Sequence, residues 1–296
     1  MNLTEAHLFI ANYNEGNLRV SRLVSRSRSA SYAENEKKCL KILGQHRNVA
    51  QLIDVVQNMD YTDIVIEYCE FTLNQMLFLS SKGLSDEVFR EVLCQTIEGV
   101  LYIHSKGIYH RNINPTNILI SAEGPSVKLT GFGCSSFQCM TLEQVPTECD
   151  TRYMAPECFL QNIGTVEMYS CMSADVWSIG MTMINALCYV QVWEKAYISD
   201  SCYRMYASGR WEGLQSHLKI ERSFFENAVL PTLSIDLHKR ISLQRLLDII
   251  EMTDIFKVTD RHRITAAMSY DNILLTNDVT VSPPMSLASS TSISEF

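Results

Sequence analysis

Extended and helical patterns are segregated along this chain, and that segregation is the strongest constraint on its fold. Before about residue 70, two β-branched runs, Ala50-Gln-Leu-Ile-Asp-Val-Val56 and Asp63-Ile-Val-Ile-Glu-Tyr-Cys69, predict strands. Residues 7–13 and 18–24 predict two more, joined by the turn Asn14-Glu15-Gly16-Asn17. After the polar segment Ser25–Ser31, Glu34 to Leu43 reads as a helix with Cys39, Leu40 and Leu43 on one face. From Leu73 onward the pattern is helical. Ser85 is an N-cap candidate, with Asp86 and Glu87 at the positive end of the dipole of a helix reaching about His104. Further helices are expected over 173–190 and 240–252. Strands early and helices late predict an α+β architecture in two lobes, a small mostly-β one over 1–69 and a larger helical one over 70–257. The remainder, 258–296, loses periodicity. Its last 17 residues hold eight Ser or Thr and one charge, Glu295, which predicts disorder, and Ser282-Pro283 offers a chance-level phosphorylation motif.

Charge removes one large class of function. With 25 basic and 33 acidic residues the net charge is −8, a poor basis for displacing counterions from nucleic acid. The most apolar stretch, Val176–Trp193, is interrupted by Ser178, Thr182, Asn185 and Gln191, and reads as a buried core helix rather than a bilayer span. Met1–Ala6 lacks the basic region and apolar core of a secretory signal, so a cytoplasmic or nuclear location is expected. The ten cysteines contain no Cys-x-x-Cys pair and several sit in apolar runs, so they are expected to be reduced, buried and metal-free.

A ladder of motifs narrows the fold. Residues 104–120 contain His110-Arg111-Asn112-Ile-Asn114-Pro115-Thr-Asn117-Ile-Leu, which resembles the protein kinase catalytic loop H-R-D-L-K-P-E-N-I-L. Gly131-Phe132-Gly133 stands where kinases carry D-F-G, and Ala155-Pro156-Glu157 matches A-P-E. Asp175-Val-Trp177-Ser-Ile-Gly180 matches the start of the central buried helix, and His238-Lys-Arg240 the late arginine that pairs with the A-P-E glutamate. Five such matches in order imply a bilobal protein-kinase-like fold over about residues 7–257. Pro156-Glu-Cys-Phe159 and Trp193-Glu-Lys-Ala resemble fungal nutrient-responsive serine/threonine kinases that restrain meiosis or filamentous growth.

The same resemblance shows which parts of a phosphoryl-transfer site are altered. Asn112 holds the position of the catalytic aspartate, and an amide is no base at neutral pH. Asn114 replaces the phosphate-contacting lysine, and Gly131 the magnesium-binding aspartate. Asn117 alone is retained of the metal pair, and one amide oxygen is a poor site for a hard cation. No glycine loop occurs in the first 60 residues and no lysine precedes Lys37. Arg22 and Arg26 are the candidates nearest the missing lysine, although arginine does not simply replace it. Glu36 matches the glutamate that would pair with that lysine, and without a partner it reads equally as a solvated helix charge.

Retained positions are mostly architectural. Leu40, Leu52, His110 and Phe132 match the apolar stack between kinase lobes, with Asp175 beneath, and Glu157 and Arg240 a buried ion pair. Arg111 is a phosphate-binding candidate, with Thr141, Thr147 or Ser135 as phosphorylated partners, or else an ion pair with a local carboxylate. Asn112 is expected to face an open cleft.

The expected function is that of a pseudokinase, a scaffold or allosteric partner of another signalling protein, either an active kinase or a kinase substrate. No cofactor, metal, nucleic acid or membrane is expected. The alternative is an active serine/threonine kinase with an atypical site using ATP and magnesium. It would need Lys37, Lys38 or Lys41 to serve the phosphates and an acidic residue to replace Gly131, for which 121–140 offers only Glu123, too far along the chain from the phosphates.

Overall fold

The computed structural model describes residues 7–15, 18–79, 84–121, 126–143, 146–159, 168–188, 191–211, 214–215 and 220–255. The expected tail, Glu123, and the tip of the first hairpin lie outside them.

Strands β1 (His7–Glu15), β2 (Leu18–Ser27), β3 (Leu52–Gln57) and β4 (Thr62–Ile66) form one antiparallel sheet in the order β1-β2-β4-β3. Glu15 pairs with Leu18, so the strands run closer to the turn than the sequence pattern implied. Helix α1 (Ala30–Leu43) packs against this sheet. It begins four residues before the expected start, because Ser29 accepts a hydrogen bond from the Tyr32 amide and caps it. Tyr32, Ala33, Glu36, Cys39, Leu40 and Leu43 form its buried face.

The helical half is built on α3 (Asp86–Ser105), reached through β5 (Phe71–Thr72) and α2 (Leu73–Leu79). Ser85 caps α3 as the sequence suggested, accepting from the Val88 amide. Beside it lies α4 (Cys171–Cys188), whose Trp177, Ile179, Met183 and Ile184 are fully buried. Among the described residues no helix is long and apolar enough to cross a membrane. Helices α5 (Ser201–Ala207) and α6 (Leu243–Met252) complete this half.

Strands β6 (Ile118–Ile120) and β7 (Val127–Leu129) pair antiparallel beneath the sheet, and β5 joins β6. The two halves meet where Ala50 N donates to Leu129 O and Leu129 N to Asn48 O. A last ribbon pairs β8 (Met140–Thr141) with β9 (Tyr169–Ser170). These connections place the loop after α3 and the turn after β7 side by side at the base of a cleft under the sheet.

Candidate functional site

The loop after α3 is held by one carboxylate. Asp175, fully buried on α4, accepts the amides of His110 and Arg111 at 2.8 and 2.7 Å and bonds His104 Nε2 at 2.8 Å. Arg111 carries the one described non-glycine positive φ, 62°. The His110 ring packs on Phe132 at 4.8 Å, and its Nε2 lies 2.9 Å from Thr130 O. Burial lowers the pKa of His110 against the pull of Asp175. Leu40 is buried as the stack requires, whereas Leu52 is only half-buried.

Asn112 lines the cleft under the sheet but is largely buried, 7% exposed. Its Oδ1 accepts from Asn114 Nδ2 at 3.0 Å and from the Asp150 amide at 3.1 Å. Its carbonyl accepts from Asn114 Nδ2 at 3.0 Å and Asn117 Nδ2 at 2.9 Å. Asn114 Oδ1 in turn takes the Thr116 amide at 2.9 Å. The three asparagines are therefore tied to one another through Asn112 Oδ1 and O, Asn114 Nδ2 and Asn117 Nδ2.

Above them, Gly131 sits at φ 77°. A Cβ there would stand 2.4 Å from Asn117 Oδ1, so Asn117 occupies the space a side chain at 131 would need. At Gly133 a Cβ would fall 2.2 Å from the Tyr32 ring, so helix α1 closes tightly on this turn. Asn35 Nδ2 reinforces the closure, donating to Gly133 O and Ser135 O at 3.0 and 2.8 Å.

Glu36 is not a solvated helix charge: it is completely buried. It accepts from Ser25 Oγ at 3.1 Å and from the Gly131 amide at 3.2 Å. Desolvation pushes its carboxyl up to about 7, against the lowering effect of these bonds and one from Phe132. Ser25 is the β2 side chain that faces Glu36. Arg22 and Arg26, at odd spacings from Ser25, belong to the opposite face of the strand. Arg26 instead grips Asp63 with two bonds of 2.7 Å and lies 3.8 Å over the Tyr61 ring. Neither arginine replaces the missing lysine.

Ser25, Thr130, Asn112, Asn117 and Asp150 are among the residues that line a cleft of about 540 Å³. Asp150 is engaged by Arg152 at 2.6 and 2.8 Å. No lysine lines the cleft among the described residues. Lys37 pairs with Glu34, and Lys38 lies 4.2 Å over the Phe137 ring. Nor do the described residues assemble any group of three or more His, Cys, Asp or Glu side chains able to hold a metal ion. This donor set, mostly neutral amides and hydroxyls, does not fit a magnesium-bound triphosphate.

A family model for the protein kinase domain matches residues 17–269. The chain belongs to the protein kinase family. Among its relatives, the serine/threonine-protein kinase KSP1 of Saccharomyces cerevisiae is 30% identical over 173 residues, 57% of this chain and 16% of that protein. The Schizosaccharomyces pombe serine/threonine-protein kinase ksp1 is 34% identical over 153 residues, 48% of this chain and 31% of that protein. The probable serine/threonine-protein kinase fhkB of Dictyostelium discoideum is 28% identical over 229 residues, 76% of this chain and 19% of that protein. The chain thus spans less than a third of the length of each of these relatives.

The kinase domain keeps its buried ion pair. Arg240 Nη1 bonds Glu157 Oε1, Nη2 bonds Oε2 at 3.1 Å, and Nη1 also reaches Ser173 O at 2.9 Å. The guanidinium lies 5.1 Å over Trp177 and is 1% exposed. Arg111 Nη2 donates to Glu143 O at 3.1 Å and to Tyr169 Oη at 2.8 Å, with the Glu143 carboxylate 3.7 Å from Nη1. Thr141 and Ser135 are buried, which removes them as accessible phosphorylation partners.

Two cysteine expectations fail. Cys134 and Cys149 form a disulfide, and of the seven other described cysteines, all free, Cys139 and Cys202 are exposed rather than buried. The bridge joins the turn after Gly131 to the residue preceding Asp150.

Proposed function

We propose that this kinase-family chain does not transfer phosphate and acts as a scaffold or allosteric partner of another signalling protein, an active kinase or a kinase substrate. The observation that carries this reading is the replacement of the charged groups of the catalytic centre by neutral ones. Asn117 stands in the space of a side chain at 131, and Glu36 bonds Ser25 and the Gly131 amide instead of a lysine. Phosphoryl transfer depends on positioned metals and cations that neutralise the phosphates. Here those places are held by amides, a hydroxyl and a glycine.

A thermal-shift titration with ATP, with and without magnesium or manganese, tests the reading. Saturation at one hundred times Kd stabilises a protein by about 2.7 kcal/mol. The expected result is an unchanged melting temperature at millimolar ATP with either metal. A metal-dependent rise would overturn the proposal in favour of an active serine/threonine kinase.

A further inference from the structure

A second cavity of about 410 Å³ lies beside the cleft, between the first turn of α1 and the segment after Gly131. Arg111 lines it with a side chain that is 4% exposed. Its Nη2 is satisfied by Glu143 O and Tyr169 Oη, but its Nε is buried without a hydrogen-bond partner. An unpaired guanidinium N–H in such a position is a charged, directional donor for an anion. Across the cavity stands the start of α1, a helix of 14 residues, whose first-turn amides lack intrahelical acceptors and carry the positive end of its dipole.

Four serines line the cavity: Ser29, Ser31, Ser135 and Ser136. Ser135 and Ser136 are buried, and Ser29 Oγ is half-buried and occupied in capping the Tyr32 amide. Ser31 alone of the four is exposed. Arg28, exposed and three residues before it, marks Ser31 for a protein kinase whose substrate groove carries acidic side chains. We propose that Ser31 is a phosphorylation site and that its phosphate is received by Arg111, fastening α1 to the segment after Gly131.

In the modification, Ser31 Oγ attacks the γ-phosphorus of ATP held by that other kinase. The bond to the bridging oxygen breaks, ADP leaves, and the hydroxyl proton passes to that kinase's base. Two carboxylates, Glu143 and Glu148, also line the cavity. The Glu143 side chain is 69% exposed and can turn into water, and Glu148 is hydrogen-bonded to Thr147. They oppose free anions, whereas a phosphate tethered to α1 arrives at high effective concentration. The proposal is independent of whether the neighbouring cleft transfers phosphate.

The test is to treat the purified chain with ATP and an arginine-directed serine/threonine kinase, locate the modification by mass spectrometry, and titrate the phosphoserine by phosphorus NMR. Expected is modification at Ser31 that is lost in Arg28→Ala. The second phosphate pKa should lie about one unit below the value near 6 of exposed phosphoserine, a tenfold preference for the dianion. Arg111→Gln should return it to the exposed value. Should that variant not fold, the phosphorylated chain before and after urea unfolding gives the same comparison. Failure to modify Ser31 while the urea-unfolded, refolding-quenched chain is modified there would overturn the proposal. So would a phosphate titrating as in a free peptide, the outcome expected if it were presented to a separate phosphopeptide-binding protein.

Discussion

Ser25 Oγ donates to Glu36 Oε2 across 3.1 Å, so a neutral hydroxyl faces a fully buried carboxyl between the sheet and α1. Without a cation opposite, desolvation raises Glu36 from 4.5 to about 7. The folded chain therefore holds this proton more tightly than the unfolded one. Its stabilising contribution is complete below about pH 4.5 and is lost as pH rises through about 7.

Glu36→Gln removes that titration while keeping an acceptor for Ser25. The variant should gain on the wild type between pH 5 and pH 8, by up to roughly 3 kcal/mol at 1.36 kcal/mol per pKa unit. Urea midpoints at the two pH values measure the gain. A difference that stays constant with pH would place the Glu36 carboxyl at its ordinary value.

Arg240→Ala and Glu157→Ala should each lose about 3–5 kcal/mol, since either leaves a buried charge uncompensated. Asn112→Ala should lose less, about 1–3 kcal/mol, through the unpaired Asp150 amide and the lost bond from Asn114 Nδ2, which keeps its bond to the carbonyl of residue 112. Denaturation of the three variants ranks them, and equal losses would contradict the assignment of the ion pair as the structural element.

The Cys134–Cys149 bridge closes a loop of 15 residues. Cross-links over loops of that length contribute about 3 kcal/mol, chiefly by restricting the unfolded chain. Dithiothreitol should lower the wild-type denaturation midpoint to that of a Cys134→Ser/Cys149→Ser variant and leave the variant unmoved. A wild type indifferent to reductant would show that the bridge does not form in solution.

Much of this fold is legible in the sequence because its signals are local. Ser85 and the acidic pair after it mark the start of α3, and the apolar stretch from Val176 lies largely within α4. The start of α1 is harder to read, since Ser25, Ser27, Ser29 and Ser31 look alike but serve as strand residues, cap and helix. The burial of Glu36 does leave a trace: with Cys39, Leu40 and Leu43 it completes an i, i+3, i+4, i+7 face. What outweighs that trace is the cost of burying a charge, and the hydroxyl and amide that offset it come from Ser25 and Gly131, far off in sequence. The pairing of Cys134 with Cys149 is non-local in the same way. Alternation along β2 could have pointed to Ser25, which shares a face with buried Leu23.

Introducing Asn112→Asp and Gly131→Asp together would restore the two aspartates that a kinase uses as base and metal ligand. The double variant should still transfer no labelled phosphate to a generic protein substrate. One reason is steric. Position 131 has a φ of 77°, and its Cβ would meet Asn117 Oδ1 at 2.4 Å, so Asn117 must leave Asn112 O. Left-handed backbone and one lost hydrogen bond together cost about 1–3 kcal/mol. The other reason is electrostatic. Two carboxylates would be added where Ser25 supplies no charge and no lysine lines the cleft among the described residues. Like charges in such a site disfavour a nucleotide further. Positioning of the phosphates by a lysine and a glycine loop, which can supply several kcal/mol of the barrier, is still missing. Gly131→Ala separates the two reasons, since it introduces the Cβ without the charge and should be destabilised by a comparable amount in urea. Robust metal-dependent transfer by the double variant would mean that another cation already reaches the phosphates, and the catalytic reading would then replace the scaffold.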